Sequence, residues 1–150
     1  MGLVINRPLG LSFAQILEHL EIEVDPLHDG ERPIYAGGPV QVERGFILHT
    51  PVEQTWGSSY AINEQLHLTT STDILLAIAE GRGPEHYLIT LGYAGWGAGQ
   101  LEDELRQNAW LTVPATTDIV FDTPYDELWQ AAAASLGIDP ANLSLHAGSA

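Results

Sequence analysis

The chain has 150 residues, with 20 Asp and Glu against five Arg, no Lys, no Cys and a net charge of −15. That length, with 45% hydrophobic residues, suits one domain with a packed core and not a disordered chain. The missing residue types exclude disulfides, thiol nucleophiles, zinc–thiolate and iron–sulfur sites, Schiff-base lysines and a P-loop lysine.

Leu3-Val4-Ile5 reads as a short buried strand, stopped by Asn6-Arg7-Pro8. Ser12 and Gln15 have the capping-box spacing, and Phe13, Ile16, Leu17 and Leu20 then share one helix face. Residues 25–32 are a polar loop. Ile34-Tyr35-Ala36 is extended and runs into a turn at Gly37-Gly38-Pro39. Residues 45–49 read as a strand buried on both faces. Residues 60–62 and 65–69 form paired strands around Asn63-Glu64. Ser71, Thr72 or Asp73 caps a helix through Ile74, Leu75, Ile78 and Ala79, ended by Gly81 and Gly83. Residues 87–91 are a strand, residues 92–99 a glycine-rich loop and residues 100–107 a helix. Residues 111–113 and 119–121 read as further strands. Thr123-Pro124 opens a last helix with Leu128, Trp129 and Ala132 inward, closed by Gly137, and Asp139-Pro140 starts a final turn. This irregular mixture, with no repeat, favours an α+β fold in a single domain over residues 1–150.

Several blocks in this order resemble the YqgE/AlgH family of bacterial proteins. They are Gly2-Leu3-Val4-Ile5-Asn6-Arg7-Pro8, Gly37-Gly38-Pro39-Val40, Arg44-Gly45-Phe46-Ile47-Leu48-His49 and the run from Leu91 to Glu102, with Glu104, Leu105, Asn108 and Trp110 beyond it. Phe121-Asp122, Trp129 and Leu136-Gly137-Ile138-Asp139 are also similar. The resemblance implies a bent, bifurcated mixed sheet approaching a pseudo-barrel, with helices packed outside. It carries no catalytic residues over, because the family has none established, and it adds a historical label of regulator. It also implies roughly forty residues ahead of Met1, so an exposed sheet edge or core face is expected.

The charge argues against direct nucleic-acid contact, since five scattered Arg cannot build a phosphate-binding stripe. Acidic membrane surfaces are disfavoured for the same reason. No apolar run reaches bilayer length and no basic, apolar leader opens the chain, so a cytoplasmic location is expected.

Two constellations carry candidate chemistry. The loop Gly95-Trp96-Gly97-Ala98-Gly99 precedes a helix, where backbone N–H groups can meet phosphate. Its G-x-G-x-G pattern is not the dinucleotide fingerprint, and Glu102, Asp103 and Glu104 already complement the helix start. The competing reading is a tight turn with Trp96 and Trp110 packed beside it. The second constellation is Asn6, Arg7, Arg44 and His49, which could hold a small anion or carboxylate. The competing readings are ion pairs of Arg7 and Arg44 with Glu102 or Glu104, and a structural His49. Gly37, Gly38, Tyr93 and Gln100 complete the candidate ligand-binding set. The acidic loop around Asp25 and Asp29 lacks EF-hand ligands at Leu27 and Ala36, and no zinc or G-x-S-x-G motif occurs. No catalytic residue, cofactor or metal is expected. The reading is a non-enzymatic domain for a protein partner or small anionic ligand. A nucleotide- or anion-binding enzyme or sensor is the alternative, and a transcriptional regulator the third.

Overall fold

The structure, a computed structural model, describes residues 1–139. The turn expected at Asp139-Pro140 runs outside them. Two compact units divide the chain, Gly2–Ala94 and the part from Gly95 onward, with Met1 grouped with the second.

The Gly2–Ala94 unit is built on one mixed sheet. Its strands are β1 (Pro8–Ser12), β2 (Pro33–Ala36), β3 (Val40–His49), β4 (Ser59–Ala61), β5 (His67–Thr69) and β6 (Tyr87–Tyr93). Their spatial order is β1-β2-β6-β3-β5-β4. The β2–β6 pair is parallel and the other pairs are antiparallel. The fold is therefore α+β, as the irregular element order implies. The sheet ends at β1 and β4 and does not close, so no barrel is completed.

Two strand expectations in this unit are corrected. Leu3-Val4-Ile5 is half-buried and not a strand. A single bridge, Gly2 to Ala94, and a bond from the Val4 N–H to the Gly37 carbonyl at 2.8 Å hold it. Pro8 does not stop the chain's extension but opens β1. An edge strand tolerates proline as its first residue, because no ladder donor is needed there.

Helix α1 (Phe13–His19) starts where the sequence places it. Ser12 Oγ accepts from the Gln15 N–H at 3.3 Å, and Gln15 Oε1 accepts from the Ser12 N–H at 2.9 Å. Helix α2 (Asp73–Ala79) differs from a simple cap. Thr72 occupies the N-cap without a side-chain bond. Instead Asp73 accepts from the Ile74 N–H at 3.0 Å and the Gly57 N–H at 2.8 Å. That bond ties the helix start to a preceding loop. Phe13 and Leu17 of α1 and Ile74, Leu75 and Ile78 of α2 pack with Ile34, Ile47 and Ile89 of the sheet. Trp56 joins this core. Leu20, expected inward, is 41% exposed because the helix ends before it.

The register of β3 against β6 is broken. Gly45 faces Leu91, yet Val40 faces Tyr93, so residues 41–44 bulge out of the ladder. Gln41 takes a left-handed φ of 50° within this bulge.

In the part from Gly95 onward, α3 (Gln100–Arg106) and α4 (Leu128–Ser135) are the α-helices among the described residues. The strands expected at 111–113 and 119–121 do not form. Residues 111–113 have no regular structure, and Asp118–Asp122 is one π-helical turn. Local hydroxyls hold that turn: Thr116 Oγ1 accepts from the Ile119 N–H at 3.2 Å, and Thr123 Oγ1 donates to the Asp118 carbonyl at 3.0 Å. A 3₁₀ turn at Tyr125–Glu127 then leads into α4, behind Pro124. Leu128 is buried, whereas Trp129 and Ala132 are only half-buried. Gly137 follows α4 at φ 75°, the conformation that ends a helix. No helix of the described residues is long and apolar enough to cross a membrane.

Candidate functional site

The glycine loop resolves into a turn in which the Gly97 donor is engaged at close range. The Gly97 N–H donates to Gln100 Oε1 at 2.9 Å. Gly99 takes φ 77° as the residue before α3. Gly95 and Glu102 are exposed, and Glu102 and Asp103 occupy the first helical turn. Trp96 and Trp110 meet edge to face at 5.9 Å and 71°. Both indole N–H groups donate to Glu104 Oε2, at 2.8 Å and 3.1 Å. The carboxylate thus fixes two rings and closes the loop onto α3. Trp110 stays 38% exposed and its neighbour Leu111 50% exposed.

Gly37 and Gly38 serve a close approach of two backbones. A Cβ at Gly37 would lie 2.3 Å from the Gly92 carbonyl oxygen, and one at Gly38 would lie 2.1 Å from the Tyr93 carbonyl carbon. No side chain fits either gap. Tyr93 packs its ring edge-on to Phe46 at 5.5 Å.

The polar set does not act as one group. Asn6 and Arg7 are exposed, and the Arg7 carbonyl accepts from the Ala36 N–H at 2.8 Å. His49 is 1% exposed. Its Nδ1 meets the Thr50 carbonyl oxygen at 2.8 Å, so that nitrogen carries the proton. Nε2 then accepts from the Thr69 hydroxyl at 2.7 Å. Thr69 in turn accepts from Ser59 Oγ at 2.5 Å. Burial lowers the His49 pKa below the usual imidazole value, and His67, ring to ring at 5.9 Å, adds to that. The imidazole is neutral and structural.

Arg44 behaves differently. Its guanidinium donates to Thr70 Oγ1 at 3.3 Å and sits 5.6 Å from the Phe46 ring centre. Within the Gly2–Ala94 unit Thr70 holds it, while Glu102 and Glu104, the partners expected for it, belong to the other unit. The β3 bulge places Arg44 on the wall of a cavity of about 560 Å³ within the Gly2–Ala94 unit. Leu11, Ile16, Leu20, Val42, Leu75 and Leu91 supply most of its apolar lining. Asn6, Arg7 and His49 do not line it. The sequence reading missed this cavity, because its wall combines α1, the β3 bulge and the start of α2. The signal was there in part: Leu11 on the edge strand β1 and Val42 in the β3 bulge are apolar residues at exposed positions where polar ones are usual.

A second missed cluster joins the 25–32 loop to β6. The Tyr87 hydroxyl donates to Asp29 Oδ2 at 2.5 Å, and Arg32 lies 3.6 Å from the same oxygen and 4.4 Å from the Tyr87 ring centre. The Tyr87 hydrogen bond, aided by Arg32 and His28, holds the Asp29 carboxyl below its ordinary pKa despite partial burial. Burial, with Asp29 beside it, pushes the Tyr87 phenol up. Among the described residues no three His, Asp or Glu side chains gather to hold a metal ion.

Comparison with known proteins identifies the lineage. The AlgH-like family model matches residues 1–141. The chain belongs to the AlgH-like family. It is 50% identical over 150 residues to a UPF0301 protein of Nitrosococcus oceani, covering all of this chain and 80% of the relative. A UPF0301 protein of Thioalkalivibrio sulfidiphilus is 53% identical with the same coverage. The solution structure of the AlgH protein from Pseudomonas aeruginosa superposes with a TM-score of 0.78 at 52% identity, covering all of this chain and 79% of that one. A crystal structure from Corynebacterium diphtheriae shares the fold at a TM-score of 0.62 and 15% identity, over 86% of this chain and 66% of that one. The AlgH-like relatives are themselves uncharacterised, so the family supplies a fold and no reaction.

Proposed function

We propose that this chain is a non-catalytic binding domain that receives a small, mostly apolar ligand in the Arg44-walled cavity of its Gly2–Ala94 unit. The observation that carries this reading is the cavity itself. Its volume of about 560 Å³ falls within the range of small-molecule sites, roughly 300–1,000 Å³. Leu11, Leu20 and Val42 stand 37%, 41% and 57% exposed around it, an unusual apolar concentration on so acidic a chain. Arg44 and Thr70 supply a few polar contacts at one wall, the composition typical of ligand sites.

The glycine loop supports this reading over the nucleotide alternative. Its Gly97 N–H is used by Gln100, and α3 has two acids in its first turn. His49, from the anion-binding set, has both ring nitrogens engaged in the core.

The neutral fluorescent probe N-phenylnaphthylamine tests the reading. It brightens in apolar sites and should do so with this chain, saturating at one equivalent. Gly45 lines the cavity, and a Cβ there meets only Ile47 at 3.9 Å. Gly45→Phe should therefore plug the site and abolish the signal with the fold kept. Equal brightening in both proteins would contradict the proposal.

A further inference from the structure

We propose that the cavity selects amphipathic monocarboxylates, with the carboxylate on Arg44 and an apolar body of roughly ten carbons along α1 and the sheet. This rests on the cavity being the binding site and names the ligand class for it.

Arg44 differs from three ion-paired arginines. Arg32, Arg82 and Arg106 each pair with a carboxylate, Asp29, Glu80 and Asp103 respectively. Among the described residues the hydrogen bond of Arg44 goes to a hydroxyl, at the long distance of 3.3 Å. A guanidinium has five N–H donors, and Thr70 takes one. The planar fork left over matches a carboxylate bidentately. Thr70 accepts from Arg44, so its own O–H remains to donate to the same ligand head.

Glu43 decides the charge of that head. It also lines the cavity, beside Arg44 in sequence. Among the described residues Arg44 is the one arginine lining this cavity, so the second charge of a dianion such as a phosphate monoester would face Glu43 with no second guanidinium to bind it. The apolar lining decides the body: a small hydrophilic carboxylate would leave Ile16, Val42 and Leu75 without contact.

The test is displacement of bound N-phenylnaphthylamine by decanoate, decanol and decyl phosphate, each below its critical micelle concentration. Wild-type chain, Arg44→Gln and Gly45→Phe are compared. Decanoate should displace the probe from wild type at a concentration about tenfold lower than decanol, a usual gain for a charge-assisted bond. Arg44→Gln should erase that difference, weakening decanoate far more than decanol. Equal potency of decanoate and decanol on wild type would overturn the carboxylate assignment while leaving the cavity reading intact. So would an undiminished difference in Arg44→Gln, or decyl phosphate outcompeting decanoate. A probe that never binds wild type, or binds Gly45→Phe equally, would overturn the cavity reading beneath it.

Discussion

His49 shows how one residue type can be read two ways until its partners are known. The folded ring is neutral, with a pKa lowered by burial, whereas the unfolded chain takes up a proton near pH 6.5. Between the folded value and about 6.5 the unfolded state binds more protons, so stability falls as pH falls through that window. The slope reaches at most about 1.4 kcal/mol per pH unit. Thermal unfolding should show a falling Tm from pH 7 to pH 5, and a flat profile would mean the ring accepts its proton in place. Asp29 and Asp73 act in a separate, more acid window. For Asp73, burial works to raise the pKa, but bonds from Ser71, Gly57 and Ile74 outweigh it, so both carboxyls lie below the ordinary value. Their contribution is complete above about pH 4 and disappears as pH falls through the folded values. Thr69→Val removes the hydroxyl on His49 Nε2 and should cost about 1–3 kcal/mol in urea unfolding. His49 was legible as structural only because it ends an apolar run. Its partner Thr69 is twenty residues away, and no local pattern announces it.

At the scale of elements, the features set by neighbouring residues were the readable ones. The Ser12–Gln15 capping box is complete within four residues, and it forms as read. The β4–β5 hairpin was legible for the same reason: Asn63 Oδ1 accepts from the Gln65 and Leu66 N–H groups, and the Leu66 carbonyl accepts from the Ile62 and Asn63 N–H groups. Ser12→Ala should cost about 0.5–2 kcal/mol, measured by chemical unfolding. Strands at 111–113 and 119–121 were misread because apolar, β-branched runs form strands only when a ladder partner exists. At 119–121 the Thr116 and Thr123 hydroxyls offered local bonds instead. The crossing of Gly37-Gly38 over Gly92 to Ala94 had a sequence signal, paired glycines, but its purpose lay in the tertiary approach. Gly38→Ala sets a methyl 2.1 Å from backbone and should cost about 3 kcal/mol or more, seen as a large drop in Tm. A small effect would mean that this crossing is loose.

Over the whole molecule, the α+β class followed from the order of elements, and the sheet then proved open between β1 and β4. The cavity was not legible. It needs α1, a register break in β3 and the start of α2 at once, and only Arg44 of the sequence-derived set lies on its wall. The charge of −15 has a consequence at this scale too. Self-repulsion opposes the compact state, and salt shortens its reach from about 30 Å at 0.01 M to about 8 Å at 0.15 M. Raising salt across that range should therefore raise Tm, and an unchanged Tm would show that the acids are spaced too widely to matter. The central claim, a ligand cavity in the Gly2–Ala94 unit, is tested most directly by mapping. Backbone amide shifts would be recorded by NMR with and without saturating N-phenylnaphthylamine. The account predicts changes clustered at Leu11, Ile16, Val42, Arg44 and Leu75. Changes centred on Trp96 and Trp110 instead, or none above noise, would contradict it.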